Sequence, residues 1–206
     1  MTPLEQAMTA LENDLLAEGG SQISTMKNYN FAILPYEPRE EFTLRMLVHR
    51  LTNKLQKQHG WSVYAIGLHQ LLVNRLRRVE DGYVESLIDM EKRLHAKSPE
   101  KALANLTSDL QREIEGPEGL AGDVITELEA CLARDNPDKS RTVVFIGRAG
   151  ALYPFFRTSA LLRHIAGRTQ NVPVVLLYPG VRREGSSLSF MGEVKPDGDY
   201  RPRIYP

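Results

Sequence analysis

The stretch Thr142-Val-Val-Phe-Ile-Gly147 decides the fold, because β-branched and aromatic side chains run without a charge into a glycine. An uninterrupted apolar run of this length indicates a strand buried on both faces, the pattern of a parallel sheet covered by helices. Similar β-rich runs occur at 30–35, 61–66 and 173–178, and a shorter one at 188–191. The sequence therefore predicts about five strands, with Pro179-Gly180 ending the fourth.

Helical patterns lie between these runs. Leucines at helical spacing predict a long helix that starts after Pro38 and ends near Gly60, and another is expected over about 154–167 with Phe155 facing inward. Strands that alternate with helices favour a three-layer α/β fold with a mainly parallel sheet. At 206 residues the chain is expected to form a single α/β domain, residues 1–206.

A wholly helical region from about 68 to 138 separates the second strand from the third. Turn residues divide it into four segments, near 68–78, 83–96, 99–115 and 118–134. We interpret this region as a helical insertion whose acidic residues lie on its outer faces.

The chain begins with a further amphipathic pattern over 3–18. Thr2 before Pro3, with Glu5 three residues later, is typical of an N-cap with a capping box. The apolar stripe of this helix is expected to pack on its own domain or on another chain.

Charge is balanced overall but unevenly distributed. The chain has 26 basic and 26 acidic residues. Residues 80–140 carry a net charge of −8 and residues 141–206 a net charge of +6. A neutral total argues against a dedicated nucleic-acid-binding protein, although a local basic face stays possible. The single cysteine, Cys131, excludes an internal disulfide and fits a reducing compartment; with no apolar segment long enough to span a membrane, the chain is expected to be cytoplasmic.

Loops at the carboxyl ends of the strands are the expected ligand site in such a sheet. The first, residues 35–43, has two prolines, three acids and no glycine, so it cannot be a phosphate-binding loop of the Walker type. The turn Gly147-Arg-Ala-Gly150 has two glycines, a weak signal that leaves a degenerate nucleotide site as an alternative to a tight structural turn.

No catalytic or metal constellation emerges from the sequence. The five histidines lack ligand spacing, and no serine lies in a nucleophile-elbow pattern. Glu40 and Glu41 are interpreted as acids that complement a helix dipole, and Arg75, Arg77 and Arg78 as bases doing so at a helix end. No cofactor or metal is therefore predicted.

Aromatic and arginine residues beside the strand ends are the candidate contact residues. Tyr and Arg are enriched among the residues that dominate protein interfaces. The predicted partner-binding set consists of Arg148, Tyr153, Arg157, Tyr178 and Arg182.

Three blocks of sequence resemble the BrxB family, small components of BREX phage-defence systems. They are Phe31-Ala-Ile-Leu-Pro-Tyr-Glu-Pro-Arg-Glu-Glu-Phe42, Val143-Val-Phe-Ile-Gly-Arg-Ala-Gly-Ala-Leu-Tyr-Pro-Phe-Phe-Arg157 and Pro173-Val-Val-Leu-Leu-Tyr-Pro-Gly180. Ser187-Leu-Ser-Phe-Met-Gly192 and Tyr200-Arg201 also fit, so the resemblance covers about residues 10–205.

The resemblance implies a bacterial host-defence role without an enzymatic activity of its own. It also implies partners among the other BREX components, especially the alkaline-phosphatase-like PglZ, and it supplies no catalytic residues. The leading hypothesis is thus a non-enzymatic adaptor or scaffold that binds PglZ. The alternatives are a degenerate nucleotide-binding domain and a DNA-binding subunit that uses the basic C-terminal third.

Overall fold

A computed structural model describes residues 1–23, 30–156, 158–165, 167–182, 187–193 and 202–206. Its helices are α1 Pro3–Leu15, α2 Glu41–His59, α3 Leu68–Val79, α4 Tyr83–His95, α5 Pro99–Ile114, α6 Leu120–Asp135 and α7 Thr158–Ile165. Its strands are β1 Phe31–Tyr36, β2 Ser62–Gly67, β3 Thr142–Gly147, β4 Val174–Arg182, β5 Leu188–Phe190 and β6 Arg203–Ile204. The predicted α/β class is confirmed, including the helical insertion, which comprises α3 to α6.

The central sheet has the strand order β2-β3-β4-β1-β6, and these strands run parallel. β2 is therefore an edge strand, paired with β3 from Ser62↔Thr142 to Gly67↔Gly147. β1, β3 and β4 are mostly buried because their side chains alternate between two helical layers, whereas the edge strand β2 is only partly covered.

Two cores lie on opposite faces of the sheet. Buried residues of α1 and α2 pack with the β1 and β3 residues Ala32, Leu34, Val143 and Phe145. Buried residues of α3, α5, α6 and α7 pack against the other face. Within the described residues, α4 has no buried residue and lies outermost, against α5 and α3. The layering follows the alternation of side chains along each strand.

Helix ends follow the expected capping chemistry. The Thr2 hydroxyl accepts a hydrogen bond from the Glu5 amide, and the Glu5 carboxylate accepts one from the Thr2 amide, which confirms the capping box. α1 ends at Leu15, three residues earlier than predicted. α2 ends as predicted at Gly60, whose φ of 66° suits glycine at a helix C-terminus.

The prediction that Pro179-Gly180 ends the fourth strand is wrong. β4 continues to Arg182 and pairs antiparallel with β5, from Gly180↔Phe190 to Arg182↔Leu188. The Pro179 carbonyl still accepts a hydrogen bond from the Met191 amide. A Cβ on Gly180 would lie 2.4 Å from the Ser189 carbonyl oxygen, so glycine is what permits this close pairing.

Two further details differ from expectation near the C-terminus. α7 is shorter than the predicted helix, and Phe156 is buried where Phe155 was expected to face inward, with Phe155 only half-buried. Residues 203–204 form the short strand β6 beside β1, a sixth strand in addition to the predicted five. The Pro-rich tail from Pro196 was expected to be extended, and its residues 196–201 lie outside the described residues.

Candidate functional site

An open groove lies at the carboxyl ends of the parallel strands, between α2 and the sheet. This strand-end groove has a volume of about 910 Å³. Its principal lining residues are Phe42, Met46 and His49 of α2 and Ala65, Phe145 and Leu177 of the sheet. Because ligands of open α/β sheets bind beyond the carboxyl ends of the strands, this groove is the expected functional site.

The groove exists because the two faces of the sheet are unequally covered. In the described parts of the chain, α1 and α2 cover one face, whereas α3, α5, α6 and α7 pack on the other. On the α1–α2 face of the edge strand β2, Val63 is half-buried and Ala65 is exposed. The end of β2 is therefore left open beside the first two turns of α2.

Helix α2 has an apolar strip in addition to its buried face. Leu44, Leu51 and Leu55 are buried against the sheet. Phe42 is 76% exposed and Met46 is 63% exposed, and their four-residue spacing places them on one side of the helix. We call these two residues the α2 strip. Two large apolar side chains beside an open groove are characteristic of a binding surface.

A hydrogen-bond network ties three elements together at the base of the groove. The buried Tyr36 hydroxyl, at the end of β1, donates to Oε2 of Glu41 at 2.5 Å. Oε1 of Glu41 accepts a hydrogen bond from Nη1 of Arg148 at 3.4 Å. The same contact is an ion pair that joins α2 to the turn after β3. Glu41 thus does more than complement the helix dipole, the single role that the sequence indicated.

Burial raises the pKa of the Tyr36 hydroxyl far above its ordinary value, and the adjacent Glu41 carboxylate raises it further. The tyrosine is therefore a neutral donor in the physiological range. The neutral hydroxyl donates to Oε2 of Glu41 and leaves Oε1 to Arg148.

Positive charge predominates along the groove. Arg45 is exposed, its guanidinium carbon lies 5.9 Å from the centre of the Phe42 ring, and it makes no ion pair with the described residues. Arg148 has a side chain 42% exposed. The lining acid Glu41 is already engaged by Tyr36 and Arg148. The groove is consequently apolar along its floor and cationic at its rim.

The four predicted contact residues that the structure describes do not form one surface. Arg148 lies at the groove. Tyr153 is 38% exposed, and its ring centre lies 6.3 Å from that of Phe190 on the side of the sheet facing α6 and α7. Arg182 is exposed at the end of β4. Arg157 lies outside the described residues.

The expectation that Tyr178 is exposed is wrong. Its side chain is 1% exposed and packs edge-on against Phe190 at 5.5 Å between ring centres. Apolar alternation along β4 explains the error, because residue 178 faces the same side as Val174 and Leu176 and joins their core. Tyr178 can support a surface from beneath but does not belong to one.

The turn after β3 is shaped by packing. Arg148 has a left-handed φ of 65°, and residues 149–152 form a single turn of 3₁₀ helix. A Cβ on Gly150 would lie 3.3 Å from Cγ of Pro179 and 3.5 Å from Sδ of Met191. Gly150 therefore allows this turn to lie close against β4.

Sequence reasoning missed the α2 strip. The pattern of α2 was interpreted through its leucines, which form the buried face, while Phe42 and Met46 remained unassigned. The four-residue spacing of these two residues on another side of the helix was the available signal. This spacing indicates a binding surface only because the end of β2 beside it is open. That opening is a result of tertiary packing, which the sequence pattern does not show.

Other features of the described residues are structural. They contain no group of three or more metal-ligating side chains, and no helix among them is long and apolar enough to cross a membrane. Cys131 is buried, and burial raises the pKa of its thiol. Arg75 does not act on a helix dipole alone but binds Asp123 of α6 through Nε at 2.7 Å.

Comparison with known proteins agrees with the resemblance seen in the sequence. A relative from Bacillus cereus (strain H3081.97), described as "BREX protein BrxB", is 26% identical over 171 residues. The match covers 83% of this chain and 80% of that protein. No solved structure matches significantly. The family model described as "BREX protein BrxB" matches residues 64–204, more than half of the chain, and the chain therefore belongs to the BrxB family.

Proposed function

We propose that this protein is a cytoplasmic, non-enzymatic adaptor that binds other BREX proteins, most directly the alkaline-phosphatase-like PglZ. As a member of the BrxB family, the chain is a component of BREX phage defence. Neither family description names an enzymatic activity. Binding a partner is therefore the role that we assign to its surface.

The observation that carries this proposal is the α2 strip beside the strand-end groove. Phe42 and Met46 are more exposed than the other internal apolar residues of comparable size in the described chain. Removing such side chains from water contributes about 1.5–3 kcal/mol each. Large apolar residues at the rim of an apolar groove are the usual anchors of a protein–protein contact.

Arg148 adds a polar contact at the same place. It is the residue of the predicted contact set that lines the groove. Tyr153 and Arg182 are exposed away from the groove and remain proposed contact residues of their own, whereas Tyr178 is buried and would act only through packing. Arg157 stays in the proposed set through its sequence position alone.

Co-expression of this chain with the PglZ protein of the same system tests the proposal. Size exclusion with mass measurement is expected to give one peak that contains both chains. Its mass should correspond to a small whole number of copies of each chain. Two separate peaks at micromolar concentration would contradict the PglZ assignment. An adaptor role would then require the same result with another BREX component.

A further inference from the structure

We infer that the strand-end groove takes an acidic amphipathic helix of the partner protein. Apolar residues of that helix would lie against the α2 strip, and its carboxylates beside Arg45 and Arg148. The inference rests on the proposed adaptor function and specifies the chemistry that the adaptor recognises.

A helix fits because the groove occupies the position of a missing helix. A parallel sheet is normally covered by helices on both faces. On the α1–α2 face, the described part of the chain provides two helices, and the end of β2 remains open, with Ala65 exposed. Ala65 is small, so a helix could approach it closely. A helix supplied by a partner would complete the layer beside α2.

The α2 strip presents the contacts that such a helix needs. The two residues of the strip lie four positions apart on one side of α2. A helix that packs alongside α2, parallel or antiparallel, can contact both with its own apolar residues three or four positions apart. Phe145 and Leu177 provide an apolar floor behind them. The partner helix must therefore have an apolar face of its own.

The charged residues at the rim of the groove indicate that the partner helix carries negative charge beside its apolar face. Arg45 makes no ion pair with any residue that the structure describes, and its guanidinium lies over the Phe42 ring, beside the anchor. Arg148 makes one long contact of 3.4 Å with Glu41 and keeps further N–H donors for a second carboxylate. Each carboxylate oxygen of Glu41 already accepts a hydrogen bond, from Tyr36 or Arg148, which weakens its attraction to a basic ligand. A helix with Asp or Glu near its apolar stripe matches this arrangement.

Peptides provide the test. Peptides of about 20 residues, roughly 30 Å when helical, are tiled across all other proteins of the same BREX system. Their binding to the full chain is measured by fluorescence anisotropy. We expect the tightest binders to be acidic amphipathic sequences whose affinity falls with added salt.

Charge reversal identifies the site. The double variant Arg45→Glu with Arg148→Glu is expected to weaken binding by at least about tenfold. The matched control is Arg77→Glu with Arg141→Glu, two exposed arginines that do not line the groove, with the same change in net charge. The control is expected to stay within about twofold of wild type. Circular dichroism confirms that both variants fold.

Reversing the charge of the peptide as well as that of the protein separates a specific contact from an effect of net charge. Peptides in which Lys replaces each Glu are expected to regain affinity for the Arg45→Glu, Arg148→Glu variant. The inference is overturned if no peptide binds, if the binders are not acidic, or if the groove and control variants behave alike. If acidic binders come only from BREX proteins other than PglZ, the PglZ assignment fails while the inference stands. If PglZ co-purifies but its binding ignores the reversal, the inference alone fails.

Discussion

At the scale of single residues, two buried tyrosine hydroxyls each donate a hydrogen bond to a carboxylate of a neighbouring helix. Tyr36 donates to Glu41, and Tyr205 donates to Oδ2 of Asp14 at 2.8 Å. Arg203 binds the same Asp14 oxygen at 2.7 Å and stacks over the Tyr205 ring, which fastens the C-terminal strand to α1. Burial raises the pKa of both hydroxyls far above the ordinary value, and the carboxylates add to the shift.

The tyrosine hydroxyls are predicted to stabilise the fold only while they are protonated. Tyr36→Phe and Tyr205→Phe should each lower the free energy of unfolding by about 1–2 kcal/mol near neutral pH. A raised folded-state pKa stabilises below the unfolded value of about 10 and loses that contribution as pH rises. The difference between wild type and each variant should therefore narrow by about 1.4 kcal/mol per pH unit above pH 10. Urea titrations from about pH 7 to 11 measure it, and a constant difference would contradict the prediction.

Gly180 is predicted to tolerate no side chain. A Cβ there would lie 2.4 Å from both the Ser189 carbonyl oxygen and Cε1 of Tyr178, so Gly180→Ala must shift β5 or the Tyr178 ring. We expect a loss of about 1–3 kcal/mol in unfolding free energy. Gly147→Ala is the control, because its Cβ would meet only Leu177 Cδ1 at 3.6 Å. Equal urea midpoints for the two variants would show that the β4–β5 pairing does not depend on this contact.

Single-residue contacts were the least predictable level from sequence. Tyr36, Glu41 and Arg148 lie in three separate elements, and nothing in the local pattern links them. Tyr178 was misjudged because its neighbour Pro179 suggested a strand end, whereas the strand continues and buries the ring. Contacts between distant residues depend on strand order, which the apolar pattern does not encode.

A cluster of charged residues joins helices within the helical insertion. Arg75 of α3 binds Asp123 of α6, lies 3.5 Å from Oε2 of Glu113 of α5 through Nη1, and donates to the Glu118 carbonyl. The Arg75 side chain is 20% exposed and that of Asp123 is 14% exposed, so screening by water is limited. One arginine thus joins three helices of the insertion.

Arg75→Ala is predicted to loosen the insertion. Glu113 would lose its partner and Asp123 would keep only the 3.4 Å contact with Arg78, which should cost about 1–3 kcal/mol in unfolding free energy. Arg77→Ala, which removes an exposed arginine two residues away, should cost less than about 0.5 kcal/mol. Hydrogen exchange should show lost protection in α5 and α6 for the first variant. Equal stability of the two variants would mean that the charged cluster does not hold the insertion.

Elements were predicted more successfully than contacts. Long apolar runs identified β1 to β4, and capping residues located α1, α2 and α5, because these signals are local. β6 has only two residues and no pattern to recognise. The position of β6 depends on the contacts of Tyr205 and Arg203 with Asp14, a residue far away in the sequence.

The molecule as a whole is a sheet covered more completely on one face than on the other. The insertion and α7 supply the fuller layer, and α1 with α2 supply the sparser one in the described chain. The strand-end groove, the α2 strip and the cationic rim all lie on the sparser side. We propose that this asymmetry provides the surface that a partner protein contacts.

The affinity of the complex with PglZ for α2-strip variants tests the central claim most directly. Phe42→Ala with Met46→Ala should raise the dissociation constant by at least about tenfold, since two exposed anchors are removed without disturbing the core. Ile88→Ala with Met90→Ala, which removes two exposed apolar residues of α4, is the matched control and should stay within about twofold. Equal affinities for the strip variant and wild type would contradict the assignment of the groove as the adaptor surface.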